Sequence, residues 1–263
     1  MKQISAKKVT ALFSIAIAAV IGLTACSKND DATVPQPQST MVVSSGDINA
    51  ALAQFRTLLG DPLNSTTGQT LGRREINWDG VPASSTNING FPLDFFNSTD
   101  PAVAAGRKRG FVLINGGTAF RVDSTDFADI DASYASQFDA FSVKKTFAYL
   151  ANNVTQAAFK IAGTNTDASV KGFGVIFSDV DDANNTSIEY FSGDKSLGIF
   201  KVPARSAGSS FSFLGVYFPN EKVTKVKITC GNGILGAGVK DITDGGSKDL
   251  VVMDDFLYDE PKN

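Results

Sequence analysis

The sequence predicts an all-β fold: a single β-sandwich of about ten strands with one N-terminal α-helix. Two observations carry this. From Lys171 to Phe218 (KGFGVIFSDVDDANNTSIEYFSGDKSLGIFKVPARSAGSSFSFLGVYF), short apolar-aromatic runs are separated by turn-rich polar segments. Runs of that length and content, bounded by Gly, Asn, Asp and Ser, are the sequence form of antiparallel strands. The intervals between them leave no room for a helix of ordinary length.

The first segment of the chain is an address rather than part of the fold. Lys2, Lys7 and Lys8 form a basic region, and Val9 to Leu23 is apolar, interrupted only by Thr and Ser. It is short for a membrane span and ends in small residues, the pattern of an export signal over residues 1–25. Leu23-Thr24-Ala25-Cys26 resembles the bacterial lipobox, in which the signal is cut before a cysteine that then carries lipid. Acyl chains on Cys26 would hold the protein on a membrane without a spanning helix. The plainer alternative is a secretory signal with a chance cysteine. Ser27-Lys28-Asn29-Asp30-Asp31 is similar to the signals that place some lipoproteins on the outer face of the outer membrane. Residues 26–45, with two prolines and no periodicity, read as a flexible tether, which assigns residues 46–263 to the sandwich domain.

Asp47 precedes INAALAQFRTLLG, where Ile48, Leu52, Phe55 and Leu59 recur at helical spacing. Asp47 can cap the start and Gly60 the end, so a helix is expected over 48–59, its apolar stripe against the sandwich. A polar loop follows from Asp61. In GRREINWDGVPAS, Ile76 and Trp78 share a face of a short strand ended by Asp79-Gly80. NGFPLDFFNSTDP, with Phe91, Phe95, Phe96 and two prolines, reads as an irregular lid-like excursion, and Arg107-Lys108-Arg109 as a solvated loop. FVLIN and TAFRV form strands around Gly116-Gly117. Asp123 to Gln137 is acidic and reads as a loop, before strands in FSVKKTFAYL and TQAAFKIA. Beyond the central stretch come TKVKITC, a glycine-rich region, and a last strand in DLVVMDDFLYDEP.

Composition excludes several functions. The chain has no histidine, which removes Ser-His-Asp and Cys-His chemistry, His-ligated zinc and the usual neutral-pH base. Loss of residues 1–25 takes three lysines and no acid, leaving 21 basic against 27 acidic residues, net −6. No basic block survives, so nucleic acid is not an expected partner. With Cys26 used for lipid, Cys230 stands alone and no intramolecular disulfide forms; sharing a face with Val226 and Ile228, it reads as a buried thiol.

At GRREINWDGVP (72–82), FPLDFFN (91–97), GFGVIFSDVDDANNTSIEYF (172–191), SFLGVYF (212–218) and VVMDDFLY (251–258), the chain resembles an uncharacterised family of exported bacterial proteins. Some members end in a PEP-CTERM-type sorting tail, where this chain has a lipobox. The resemblance implies an extracytoplasmic β domain, jelly-roll-like, similar in outline to carbohydrate-binding modules and lectin-like sandwiches. It carries no activity and no catalytic residues.

Candidate site residues come from two places. Asp179, Asp181 and Asp182 crowd one loop with Asn184 and Asn185, an oxygen-rich set that suits Ca²⁺, though the spacing is not that of an EF-hand and turn formation alone would explain it. In LVVMDDFLY, strict alternation puts Asp254 with Val252, Phe256 and Tyr258, and Asp255 with Val251, Met253 and Leu257. Both faces are apolar, so at least one carboxylate approaches a buried surface and needs a partner. Asp179, Asp181, Asp254 and Asp255 around a structural Ca²⁺ is one expectation; a structural Asp at a sheet edge is the other. Trp78 is either a flat platform for a sugar or a core plug. The sequence thus predicts a lipid-anchored, surface-displayed envelope protein whose sandwich binds a glycan or other extracellular ligand without catalysis. Two alternatives stand: a structural or adhesive component with no small-molecule site, and a carboxylate-based glycoside hydrolase, for which Glu75, Glu189 and Glu221 share no motif.

Overall fold

The computed structural model describes residues 37–263; the expected signal peptide, Cys26 and the first part of the tether lie outside the described residues. The elements run β1 (Thr40–Ser45), α1 (Asn49–Leu59), β2 (Arg73–Ile76), β3 (Phe111–Leu113), β4 (Phe120–Asp123), β5 (Thr146–Tyr149) and β6 (Val154–Lys160). They continue β7 (Asp167–Ala168), β8 (Gly172–Ser178), β9 (Ser187–Ser192), β10 (Lys195–Lys201), β11 (Phe211–Tyr217), β12 (Lys225–Thr229) and β13 (Val252–Asp259). One sheet has the order β1-β11-β8-β13-β5-β4, with β2 also on β13; the other runs β10-β9-β12-β6-β3, with β7 also on β6. Every named pair is antiparallel.

Inside this β-sandwich lies a jelly roll. Its faces are β5-β13-β8-β11 and β6-β12-β9-β10, and the chain from β5 onward crosses between them in the order two interlocked Greek keys require. The remaining strands extend the edges. Between the sheets sits an aromatic core that includes Phe111, Phe173, Phe177, Tyr190, Phe256 and Tyr258.

The two sheets are buried to different extents. On β6 and β12 buried and half-buried residues alternate, as a sheet with one wet face requires, whereas every residue of β8 and β13 is buried. Helix α1 covers the second face of the β8 sheet. The C-terminal end holds as expected, with Gly60 N donating to Arg56 O (3.0 Å); the helix begins one residue later than expected, with Ile48 at the N-cap and Asp47 just outside, accepting from Asn49 N (3.1 Å). Leu52, Phe55 and Leu59 pack with Val42, Ile176, Phe213 and Leu257. Three glycines make the docking feasible. A Cβ on Gly174 or Gly215 would lie 2.8 Å from the Phe55 ring, and one on Gly172 would lie 2.7 Å from Leu59. Alternation along β8 therefore has a purpose on each side: Phe173, Val175 and Phe177 fill the sandwich, while on the other face Gly172 and Gly174 admit the helix and Ile176 packs against it.

Three expectations need correction. The tether ends at Thr40, since Thr40–Ser45 pairs with β11 over six residues and buries Val42. Its Met-Val-Val run covers an edge that would otherwise present open backbone groups, so a chain cut at residue 46 loses this protection. The segment after Asp123 is not an open loop, because Phe127, Tyr134 and Phe138 form a further cluster with Leu250 and Val252. The Tyr134 hydroxyl, 2.8 Å from Val239 O, accepts from Gly236 N (3.2 Å) and ties this segment to the β12–β13 connection. Finally, Phe91 and Phe96 are buried against Trp78, with Phe95 packed on both of them, an aromatic plug rather than a lid. Among the described residues no helix is long and apolar enough to cross a membrane.

Candidate functional site

The loops beyond one end of the sandwich converge on Asp179. Ser178, the last residue of β8, pairs with Phe211 and Val252, the first residues of β11 and β13, so the connections at all three points meet there. Asp179 turns out of the strand with φ 69°, a left-handed conformation that aspartate adopts more readily than most residues, and its N–H donates to Ser210 O (2.8 Å). Arg205, on the β10–β11 connection, places Nε 2.8 Å from Asp179 Oδ1 and 2.7 Å from Asp181 Oδ1. A third carboxylate comes from the β12–β13 connection. Asp241 Oδ2 accepts from Thr243 N and Oγ1 (both 2.7 Å), and Oδ1 accepts from Leu250 N (2.9 Å). Oxygens of Asp179, Asp181 and Asp241 all lie within 4.8 Å of one another. Asp249 stands behind them, accepting from Asp181 N (3.0 Å) and more weakly from Asp182 N (3.4 Å).

Crowding sets the electrostatics. Burial and the neighbouring Asp181 charge push the Asp179 carboxyl up to about 7, against the opposing pull of Arg205. Burial also raises Asp181, helped by Asp241. Asp241 itself, though buried, is held below the ordinary carboxylate range by Asp181 and by the donors of Leu250 and Thr243. Burial pushes Asp249 up to about 6. Beside Asp179 opens a recess of about 250 Å³, walled by Ser133, Ser136, Gln137, Arg205, Ser210 and Thr243, with Asp244 also contributing. Three buried polar atoms here lack a hydrogen-bond partner: Asp179 Oδ2, Asp181 Oδ2 and Gln137 Nε2.

The other two expected ligands lie in a second, separate pair. Between Met253 and Phe256 the register of β13 on β8 shifts: three steps on β13 match two on β8, from Phe177 to Val175. This is a β-bulge with one extra residue, and it overturns strict alternation. Met253 shares the core face with Phe256 and Tyr258, while Asp254 and Asp255 both reach Ser142. Ser142 Oγ is 3.0 Å from Asp254 Oδ1 and 2.7 Å from Asp255 Oδ1, and Asp254 Oδ2 accepts from Phe141 N (2.6 Å). One hydroxyl has one hydrogen, so Ser142 can donate to only one of the two carboxyls, and the pair is satisfied when one of them carries a proton, given to Ser142 or to its neighbour. Burial, then the charge of Asp255, pushes Asp254 up to about 9, and burial raises Asp255 as well, so the two carboxyls share a proton between them. Neither residue joins the oxygens gathered around Asp179.

Trp78 is a core plug. It is 1 % exposed, stacked on Phe147 (4.2 Å, 5°), with Phe91, Phe96 and Phe256 edge-on around it. Its indole N–H donates to Asp254 O (2.8 Å), satisfying a carbonyl that the bulge takes out of the ladder. No ring face is open to a sugar. Cys230 is buried and free, and burial raises its thiol far above the usual range, which makes it a poor nucleophile. Arg107 lies over the Phe95 ring at 4.0 Å, so part of the basic loop braces the plug.

Sequence reasoning missed Asp241 and Arg205. Asp241 sits in KDITDGG, indistinguishable from a turn former until the fold brings it to Asp179. Arg205 carried a signal: it is the last arginine of the chain and the first after Arg121, beside a loop rich in acids. No protein-family model matches the chain, and no curated protein matches it.

Proposed function

We propose that this is a lipid-anchored protein of the bacterial outer membrane, surface-exposed, whose jelly-roll domain binds a small hydroxyl-rich ligand of the glycan class without catalysis. The observation that carries the reading is the recess beside Asp179, where a guanidinium, carboxylates, hydroxyls and an unpartnered amide of Gln137 face one space. Such a set of fixed donors and acceptors suits a ligand that presents several hydroxyls. The anchor rests on the Leu-Thr-Ala-Cys sequence at Cys26. With Trp78 closed off, recognition would depend on polar groups rather than stacking.

A structural or adhesive envelope component is the second reading, favoured by the burial of Trp78 and of the aromatic plug around it. The hydrolase reading gains little support. Glu75 is held by Arg56 and Arg73, Glu189 by Lys227, and the three clustered aspartates converge on one point instead of flanking a bound sugar.

A glycan array probed with the full-length protein tests the binding. Retention of a defined glycan subset, reduced at least tenfold by Gln137→Ala at an unchanged melting temperature, is the expected result; within the protein the Gln137 side-chain amide has only the Asp179 carboxyl to face, outside good hydrogen-bond geometry. No retention at all, or equal retention by the variant, would refute the recess as the site. Metabolic labelling with a fatty acid, lost in Cys26→Ser, tests the anchor in the same preparation.

A further inference from the structure

We infer that Asp179, Asp181 and Asp241 form a binding site for a divalent cation of the Ca²⁺ class, bracing the loops that wall the recess. Two independent observations meet here. Oxygens from three carboxylates on two chain-distant connections lie within 4.8 Å of one another, a spacing that fits ligands around one ion. Separately, Asp179 Oδ2 and Asp181 Oδ2 have no hydrogen-bond partner although their side chains are only 2 % and 8 % exposed. Buried carboxylate oxygens without donors are costly, and a cation is the partner that satisfies several at once.

Charge points the same way. Fully ionised, as ligands to a cation must be, the three converging carboxylates and Arg205 sum to −2, which a divalent ion neutralises. The donors are all hard oxygens, and with no histidine in the chain, Ca²⁺ or Mg²⁺ fits better than zinc or copper. Ca²⁺ is favoured because the neighbouring recess has room for the waters its higher coordination number needs. Asp241, fixed by three hydrogen bonds to Thr243 and Leu250, would be the rigid ligand, while Asp179 and Asp181 bring in the β8–β9 connection. The site shares Asp179 with the recess proposed for glycan, but it would brace the fold whether or not a sugar binds, so its test does not depend on the glycan reading.

The test is a thermal melt of the full-length protein, stripped with EDTA and then titrated with CaCl₂ or MgCl₂, for the wild type, Asp181→Asn and Asp254→Asn. At a hundredfold excess over Kd, Ca²⁺ should raise the wild-type midpoint by roughly 5–10 °C. Asp181→Asn should respond with opposite signs. Without cation it melts above the wild type, because one crowded charge is gone; with Ca²⁺ it melts below, because a ligand is lost. Asp254→Asn, outside the site, should keep the full Ca²⁺ shift. If Asp181→Asn failed to fold, direct calorimetric titration of CaCl₂ into the stripped wild type would still decide. No wild-type shift and no heat at millimolar Ca²⁺ or Mg²⁺, with Asp181→Asn more stable under all conditions, would overturn the inference and leave a carboxyl cluster that shares protons.

Discussion

Asp254→Asn is expected to raise the melting temperature at pH 8 and to leave it nearly unchanged at pH 4. Asp254 is wholly buried on the bulge of β13, and its carboxyl is pushed up to about 9, by burial first and by Asp255 second. A carboxyl whose pKa is raised on folding adds stability that is fully present below the unfolded value near 3.8 and is lost as pH rises through the folded value near 9. Between those limits folding must take up a proton. At pH 7 to 8 this opposes folding by something on the order of a few kcal/mol, since a tenfold change in proton affinity is worth about 1.4 kcal/mol. Asparagine keeps the hydrogen bonds without the proton: its Oδ1 can accept from Phe141 N while its Nδ2 donates to Ser142, which then donates to Asp255. Comparing variant with wild type at each pH cancels the carboxylates away from this pair; Asp255, coupled to Asp254, titrates with it. Thermal melts from pH 4 to 9 check this, and a variant that is less stable than wild type at pH 8 would show that Asp254 is ionised in the fold.

Arg74→Met should lower stability by about 3–5 kcal/mol, the range for stranding one partner of a buried ion pair. For a domain of this size that corresponds to a loss of roughly 10 °C in Tm. Arg74 on β2 is 0 % exposed, with Nη2 2.7 Å from Glu260 Oε1 and 2.7 Å from Thr66 O. Asn64 Nδ2 donates to the other carboxylate oxygen of Glu260 (2.7 Å). The pair thus joins β2, the loop after α1 and the end of β13. Methionine fills the space but leaves the Glu260 charge without its cation. The double variant Arg74→Met/Glu260→Gln should recover most of the loss, because the desolvation of both ions disappears with them. Chemical denaturation of the four proteins in that cycle gives the coupling directly. Equal losses in the single and double variants would assign the cost to packing rather than charge.

What could be read in the sequence was whatever local pattern determines. The central strands, the α1 helix with its Gly60 end, and the buried Cys230 all depend on residues close in the chain. The jelly-roll outline came through a resemblance, and strand order confirms it. Pairing between distant segments was not legible. Alternation through LVVMDDFLY failed because a bulge shifts the register after Met253, and a bulge is set by the partner strand and by what satisfies its freed groups, here Trp78 and Phe141. The expected four-aspartate set accordingly divided: Asp179 and Asp181 met Asp241, while Asp254 and Asp255 turned to Ser142. Thr40–Ser45 was hidden for the same reason, since a short run in a polar stretch becomes a strand only where β11 offers an open edge.

The site assignment is tested most directly by chemical-shift mapping on the full-length isotope-labelled protein. A panel of neutral and acidic monosaccharides, each titrated to millimolar concentration in the presence of Ca²⁺, would be followed residue by residue. Saturable shifts confined to Gln137, Asp179, Arg205, Ser210 and their neighbours are expected, for at least one sugar, and weaker binding after EDTA. A second cleft, of about 340 Å³, is lined by Pro82, Phe95, Phe96, Arg107 and Arg109; shifts centred there, or none for any sugar, would contradict the proposal that the Asp179 recess binds glycan.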